Sequence, residues 1–134
     1  MKHQAGFSLI ELSIALTVSS LLATMALPSY RSQKLRSHRA DATQTLQRLQ
    51  LAQEQYRETH GGYASSLSLL PGNWSGLSPA GHYQIDLTSS NPEAYEVRAS
   101  AIGSQASDAD CGTMSVRVEG ALSFQEPSGR CWPT

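Results

Sequence analysis

The chain has 134 residues, a formal net charge of −1, four histidines and two cysteines. With a membrane-length apolar segment set aside, about a hundred residues remain, enough for one small domain with its own core. A near-neutral total gives no polyanion-binding signal for the chain as a whole, and no repeat or long low-complexity tract points to a solenoid.

The first element is apolar. Phe7 to Leu27 contains a single charge, Glu11. At about 1.5 Å per residue this helix spans ~30 Å, the thickness of a bilayer core. The preceding "MKHQAG" is short, polar and basic, and the small pair Ala5-Gly6 comes before the apolar run. A removable secretory signal has the opposite order, with its small-residue site after the apolar stretch. Cleavage after Gly6 keeps the helix and exposes Phe7 as a new amino terminus. An ionised Glu11 inside lipid costs on the order of 2–4 kcal/mol unless it reaches the headgroups or finds a partner.

Ser13, Thr17, Ser20 and Thr24 recur at helical spacing on one face. Small hydroxyl residues there let helices approach closely, or bond back to their own carbonyls. Pro28 follows, and because the next residues again read as helix, a kink is expected rather than a stop. The flanks conflict over orientation. Arg31, Lys34, Arg36 and Arg39 outweigh Lys2, which by the positive-inside rule puts the C-terminal part in the cytoplasm. The cysteines argue for the opposite side.

Residues 29–59 read as an amphipathic helix. Leu35, Ala42, Leu46, Leu49, Ala52 or Gln53, and Tyr56 share a face, and the stripe strengthens from Leu46. The earlier "YRSQKLRSHRADATQ" is polar and is expected to project between membrane and domain. "HGGY" stops the helix at residues 60–63. A long Gly-, Ser- and Pro-rich connection covers 61–81, with Trp74 as a candidate anchor or partner contact.

Strands follow by alternation. Tyr83, Ile85 and Leu87 form the first. After an Asn91-Pro92 turn, Tyr95, Val97 and Ala99 form the second. Met114, Val116 and Val118 form the third, and Glu119-Gly120 turns into a short fourth with Leu122 and Phe124. The expected fold is α+β: a long N-terminal helix, part transmembrane and part amphipathic, packed on an antiparallel sheet of about four strands. Cys111 and Cys131 predict one disulfide tying the C-terminal tail to the start of the third strand.

Candidate chemistry is sparse. His3, His38, His60 and His82 make no metal-ligand spacing and read as surface residues. Asp108 and Asp110 resemble the start of a calcium loop but lack its further carboxylates and glycine, so a solvated loop is expected. No nucleophile–base set is found. The sequence therefore predicts no enzyme, no metal and no cofactor.

"GFSLIEL" (residues 6–12) resembles the prepilin processing site of type IV pilins and of type II secretion pseudopilins. The resemblance covers Gly6, Phe7, Glu11, the apolar run, Pro28 and the amphipathic helix behind it. "LQLAQEQYRETHGGYASSL", "YQIDL", "AYEVRAS", "GSQASDADCGTMSV" and the final Cys131 look like the minor pilin group related to the PilE and ComP families. The resemblance implies the type IV pilin fold and cleavage between Gly6 and Phe7 by a prepilin peptidase, with N-methylation of Phe7. It also implies that Glu11 pairs with the terminal amine of a neighbouring subunit during assembly. Residues 1–6 become a leader, 7–28 a transmembrane and assembly helix, and 29–134 a periplasmic globular domain. The implied partners are other pilin subunits, the prepilin peptidase, the pilus assembly machinery and the inner membrane. The chain is stored there as a single-pass protein before entering an extracellular pilus. The leading expectation is a minor pilin for assembly, twitching motility or adhesion, and the alternative within the class is a pseudopilin. A DNA-uptake receptor is placed behind both. Its phosphate contacts would fall to Arg31, Lys34, Arg36 and Arg39, on the helix that a filament buries, while the distal domain is acidic.

Overall fold

The computed structural model describes residues 8–132. Gly6, Phe7 and His3 lie outside the described residues, and the expected cleavage point with them. One helix, α1 (Leu9–His60), is followed by a 3-10 turn (Leu67–Leu69) and two strands, β1 (Tyr83–Asn91) and β2 (Ala94–Ala101). A second 3-10 turn (Gly103–Ser107) leads to β3 (Thr113–Glu119) and β4 (Leu122–Glu126). The α+β fold expected from the sequence is the one observed.

The helix continues through Pro28. Proline removes one N–H from the ladder, and the carbonyl of Thr24 loses its usual donor there. The chain divides into two units, Met1–Lys34 and Leu35–Thr134. In the first, every described residue is exposed, the apolar ones included. A predominantly apolar helix, its hydroxyl residues few and small, without tertiary cover fits lipid or a bundle of other helices. By length and composition α1 is able to cross a membrane.

In the second unit α1 buries Ala42, Thr43, Thr45, Leu46, Leu49, Ala52 and Gln53. The inward stripe thus starts at Ala42, and Ala52 and Gln53 are both buried. The expected polar spacer is corrected from Leu35 onward, because those residues belong to the domain. The helix ends where Gly61 adopts a positive φ of 78° and its N–H donates to Arg57 O at 2.8 Å. Gly62 then passes so close to Pro92 that an added Cβ would lie 2.8 Å from the proline Cβ.

The four strands lie in the order β1-β2-β3-β4, all antiparallel. Tyr83, Ile85, Tyr95, Val97, Ala99, Met114, Val116 and Val118 form the buried face against α1. Beyond β1 the edge is partly covered by a bridge between Leu77 and Gln84. In the long loop, Trp74 is half-buried, donates to Pro71 O at 3.0 Å and lies beneath the Arg48 guanidinium.

β4 exists as expected, but its apolar residues do not join the core. Leu122 is 62% exposed and Phe124 39%. The tight Gly120-Ala121 turn fixes Glu119 opposite Leu122 and Arg117 opposite Phe124. Leu122 and Phe124 therefore share the solvent face with Glu119 and Arg117, and Ser123 and Gln125 take the inner one. Arg117 covers the Phe124 ring at 5.5 Å.

Cys111 and Cys131 form the disulfide, with Cα atoms 5.6 Å apart. It ties the tail to the residue pair just before β3, as the sequence predicts.

Candidate functional site

The first candidate surface is the exposed apolar helix up to Lys34. Its hydroxyl stripe is satisfied within the helix. Ser13 donates to Ile10 O at 2.8 Å, Thr17 to Ser13 O at 2.7 Å, Ser20 to Thr17 O at 2.8 Å and Thr24 to Leu21 O at 2.8 Å. The stripe thus offers a neighbour small volume and hydroxyl acceptors rather than unspent donors. Glu11 stands exposed in the first turn of α1, where a carboxylate complements the partial positive charge of the helix start.

The second lies where α1 enters the domain. Arg39 grips Asp108 with two parallel bonds, Nε to Oδ2 and Nη2 to Oδ1, both 2.8 Å. The two side chains are only 11% and 4% exposed. The Arg39 bond is the main reason the Asp108 carboxyl is held below the ordinary carboxylate range, against the opposing effect of burial. The same bond raises Arg39.

Behind this pair sits Gln105, fully buried. Its Nε2 donates to the Leu35 carbonyl, Tyr83 Oη and Asp108 Oδ2, at 2.9–3.2 Å. Its Oε1 lies 3.0 Å from His38 Nδ1. His38 stacks on His82 with ring centroids 3.8 Å apart. Burial pushes the Tyr83 phenol up, while its bond to Gln105 pulls the other way. One helical turn on, Asp41 accepts from Ser78 Oγ at 2.5 Å and from the backbone N–H groups of Ala80 and His82. These contacts latch α1 to the loop before β1 and to the 3-10 turn after β2.

Of the four cations Arg31, Lys34, Arg36 and Arg39, the last is spent inside the domain on Asp108. Two readings of the sequence are corrected here. Asp108 is a buried ion-pair member rather than a solvated loop residue. His38 and His82 are half-buried partners rather than surface residues. Gln105 was not anticipated, and Gln53, expected on the inward stripe as an alternative to Ala52, is buried there together with Ala52. Gln53 exchanges two bonds with the Ala64 backbone, at 3.0 and 2.8 Å. Gln105 has no spacing that marks it, since its partners Leu35, His38 and Tyr83 come from distant segments.

Outside the latch, Arg36, Arg39, Ala40, Asp110, Arg130 and Trp132 surround a notch of about 280 Å³. Arg130 is 79% exposed and reaches Asp110 only at 4.0 Å. The sheet's solvent face carries Asp86, Glu96, Glu119 and Glu126 against Arg98 and Arg117, an acidic excess. Among the described residues, no three His, Cys, Asp or Glu side chains gather as a metal site would require.

Two family models match the chain. The model described as type IV minor pilin ComP, DNA uptake sequence receptor, matches residues 28–115, more than half of the sequence. The prokaryotic N-terminal methylation motif matches residues 1–27. The first match covers α1 from Pro28 and the strands up to the middle of β3, so β4 and Cys131 lie beyond it.

Proposed function

We propose, from the premise that the chain belongs to the type IV minor pilin family, that it is cut between Gly6 and Phe7 by a prepilin peptidase, methylated on the Phe7 amine and assembled through α1. The observation that carries this reading is the stretch Leu9–Leu27, apolar apart from its hydroxyl stripe, exposed along its length and marked by one acid, Glu11. Such a helix is stable in lipid before assembly, and in a filament once other helices replace the lipid. Burial of the Leu, Ile, Val and Met side chains is retained in both solvents. The exchange therefore turns on packing, on small residues and on polar groups.

Glu11 supplies the polar group. Its carboxylate pairs with the Phe7 amine of a neighbouring subunit, so each chain brings one partner of the pair. Two charges that are costly in a low dielectric become acceptable when they meet. The C-terminal domain lies outside the cytoplasm, in the periplasm during storage. The disulfide supports that side, because it persists in oxidising compartments. The pilus assembly machinery and other pilin subunits are the partners. The minor pilin match favours this over a secretion pseudopilin.

The test is mass spectrometry of protein recovered from sheared pili. The expected mature chain starts at N-methylated Phe7, and Gly6→Leu leaves the precursor in the inner membrane. A mature chain starting at Met1, or one that lacks Phe7–Leu27, overturns the reading.

The family description names a DNA uptake sequence receptor, which gives a second reading. The observation in its favour is the notch, where Arg36, Arg130 and Trp132 combine two guanidinium groups with an aromatic ring. A gel shift of duplex DNA with the full chain in detergent tests it. Loss of the shift in R36A/R130A is the supporting outcome.

A further inference from the structure

The domain Leu35–Thr134 has two chemically different ends. At one, the helix start meets the 3-10 turn after β2 and the tail. Gln105 Nε2 bonds the Leu35 carbonyl at 3.1 Å, and Arg39 Nη1 bonds the Arg130 carbonyl at 3.3 Å. At the other, the helix end meets both hairpin turns. The Tyr63 N–H donates to Pro92 O at 2.8 Å, and the Gly120 N–H donates to Glu93 O at 2.9 Å.

The charges separate along this axis. The helix-start end carries Arg36, Arg39 and Arg130 around the notch, with Asp108 spent on Arg39 and Asp110 only 4.0 Å from Arg130. Asp41 is nearby in sequence, but its contacts are with the loop of Ser78, Ala80 and His82. The turn end carries Glu54, Glu58, Glu93 and Glu119. Arg57 pairs with Glu54 at 2.9 Å and Arg117 with Glu119 at 3.5 Å. Glu58 and Glu93 are exposed and make no ion pair among the described residues. One end thus has guanidinium charge to spare and the other carboxylate charge.

We propose that the notch formed by Arg36 and Arg130 is a docking surface for the acidic turn end, Glu58 and Glu93, of a second copy of this chain. The proposal rests on the pilin reading and names a contact between neighbouring domains. Charge complementarity selects the partner. A contact between unlike surfaces can hold both copies in the same orientation, whereas a twofold contact inverts one relative to the other. A side-chain carboxylate fits a notch of about 280 Å³ lined by Arg36, Arg39 and Arg130 against the single carboxylate of Asp110. Duplex DNA is the poorer occupant. Useful affinity for it takes several phosphate contacts, on the order of 6–10 in strong binders. Here Arg39 is neutralised by Asp108, Asp110 lines the notch and the sheet's outer face is acidic.

The experiment places a photo-crosslinking amino acid at exposed Ser128, beside Arg130, in the full chain in pilus-producing cells. The expected product is a dimer in which residue 128 of one copy is joined to the 91–94 turn or the last turn of α1 of the other. R36E/R130E should lower its yield about fivefold, the scale set by a few exposed ion pairs. A co-expressed second copy carrying E58R/E93R should restore it. R36Q/R130Q gives a milder loss, and thiol labelling of each variant checks that the disulfide, and so the fold, has formed. Crosslinks to other proteins only, or a yield indifferent to charge reversal, overturn the proposal. An indifferent yield together with a DNA gel shift abolished by R36E/R130E reassigns the notch to phosphate. If the charge-dependent dimer forms in membranes but the wild-type chain is absent from sheared pili, the docking contact stands and the filament reading fails.

Discussion

Arg39 and Asp108 neutralise each other inside the domain, so removing either leaves a buried charge without its partner. Arg39→Gln is expected to cost roughly 3–5 kcal/mol, measured by urea denaturation of the full chain in detergent. Asp108→Asn should cost less, because an amide still accepts hydrogen bonds. The pH dependence follows from the lowered Asp108. A carboxylate depressed by folding stabilises the native state above its unfolded value, near 4. That stability is lost as pH falls through the lower folded value. The wild type should therefore lose stability on acidification below about pH 4, and Asp108→Asn should flatten that part of the profile. An equal acid slope in both proteins would show that other carboxylates set it. Gly62 makes a different demand. Its added Cβ would meet Pro92 at 2.8 Å, and that proline's carbonyl accepts from Tyr63. Gly62→Ala should cost about 1–3 kcal/mol as the two backbones move apart, read as a fall in thermal midpoint.

β4 shows how far an alternating pattern can be trusted. Leu122 and Phe124 alternate correctly for a strand, and the strand is there. Which face they take is decided by the turn, since a shift of one residue exchanges the two faces. Because both lie on the solvent face, Leu122→Thr and Phe124→Thr should each change stability by less than about 1 kcal/mol. Val116→Ala, at a fully buried position on the neighbouring strand, should cost roughly 2 kcal/mol or more. Parallel denaturation curves for the three variants check the contrast, and a large loss at Phe124 would place it in a core. The strands β1 to β3 and the helix face from Ala42 were legible for a simple reason. Their apolar residues repeat at periods 2 and 3.6, and the core reads only that repeat. Gln105 and Arg39 were not legible. Each is satisfied by groups from remote segments, about 70 residues away for Gln105 and the Leu35 carbonyl, and no local pattern encodes such a meeting. The polar segment before Ala42 misled for the same reason, because its polar residues are the latch.

At the scale of the whole molecule, an apolar rod without tertiary cover is joined to a domain that covers its own core. Their responses to mutation should separate. Replacing both Cys111 and Cys131 with serine should lower domain stability by roughly 2–5 kcal/mol and leave processing at Gly6 and membrane insertion unchanged, measured by denaturation and by the membrane-bound fraction. Quantitative thiol labelling of unreduced wild type would contradict the bridge. Conversely, Glu11→Leu should leave domain stability untouched and membrane insertion at least as strong, while the ratio of sheared to membrane-bound protein falls. Glu11→Gln tests whether charge or shape is responsible, and wild-type ratios for both would remove the pairing role. The latch at Leu35–Asp41 has a mechanical consequence. A pull on α1 from its N-terminal side enters the domain first where Gln105 holds the Leu35 carbonyl and Asp108 holds Arg39. The next covalent restraint beyond Asp108 is the Cys111–Cys131 bridge. Within one turn of helix from Leu35, α1 is thus held by a charged clasp, and that clasp sits three residues before a covalent crosslink.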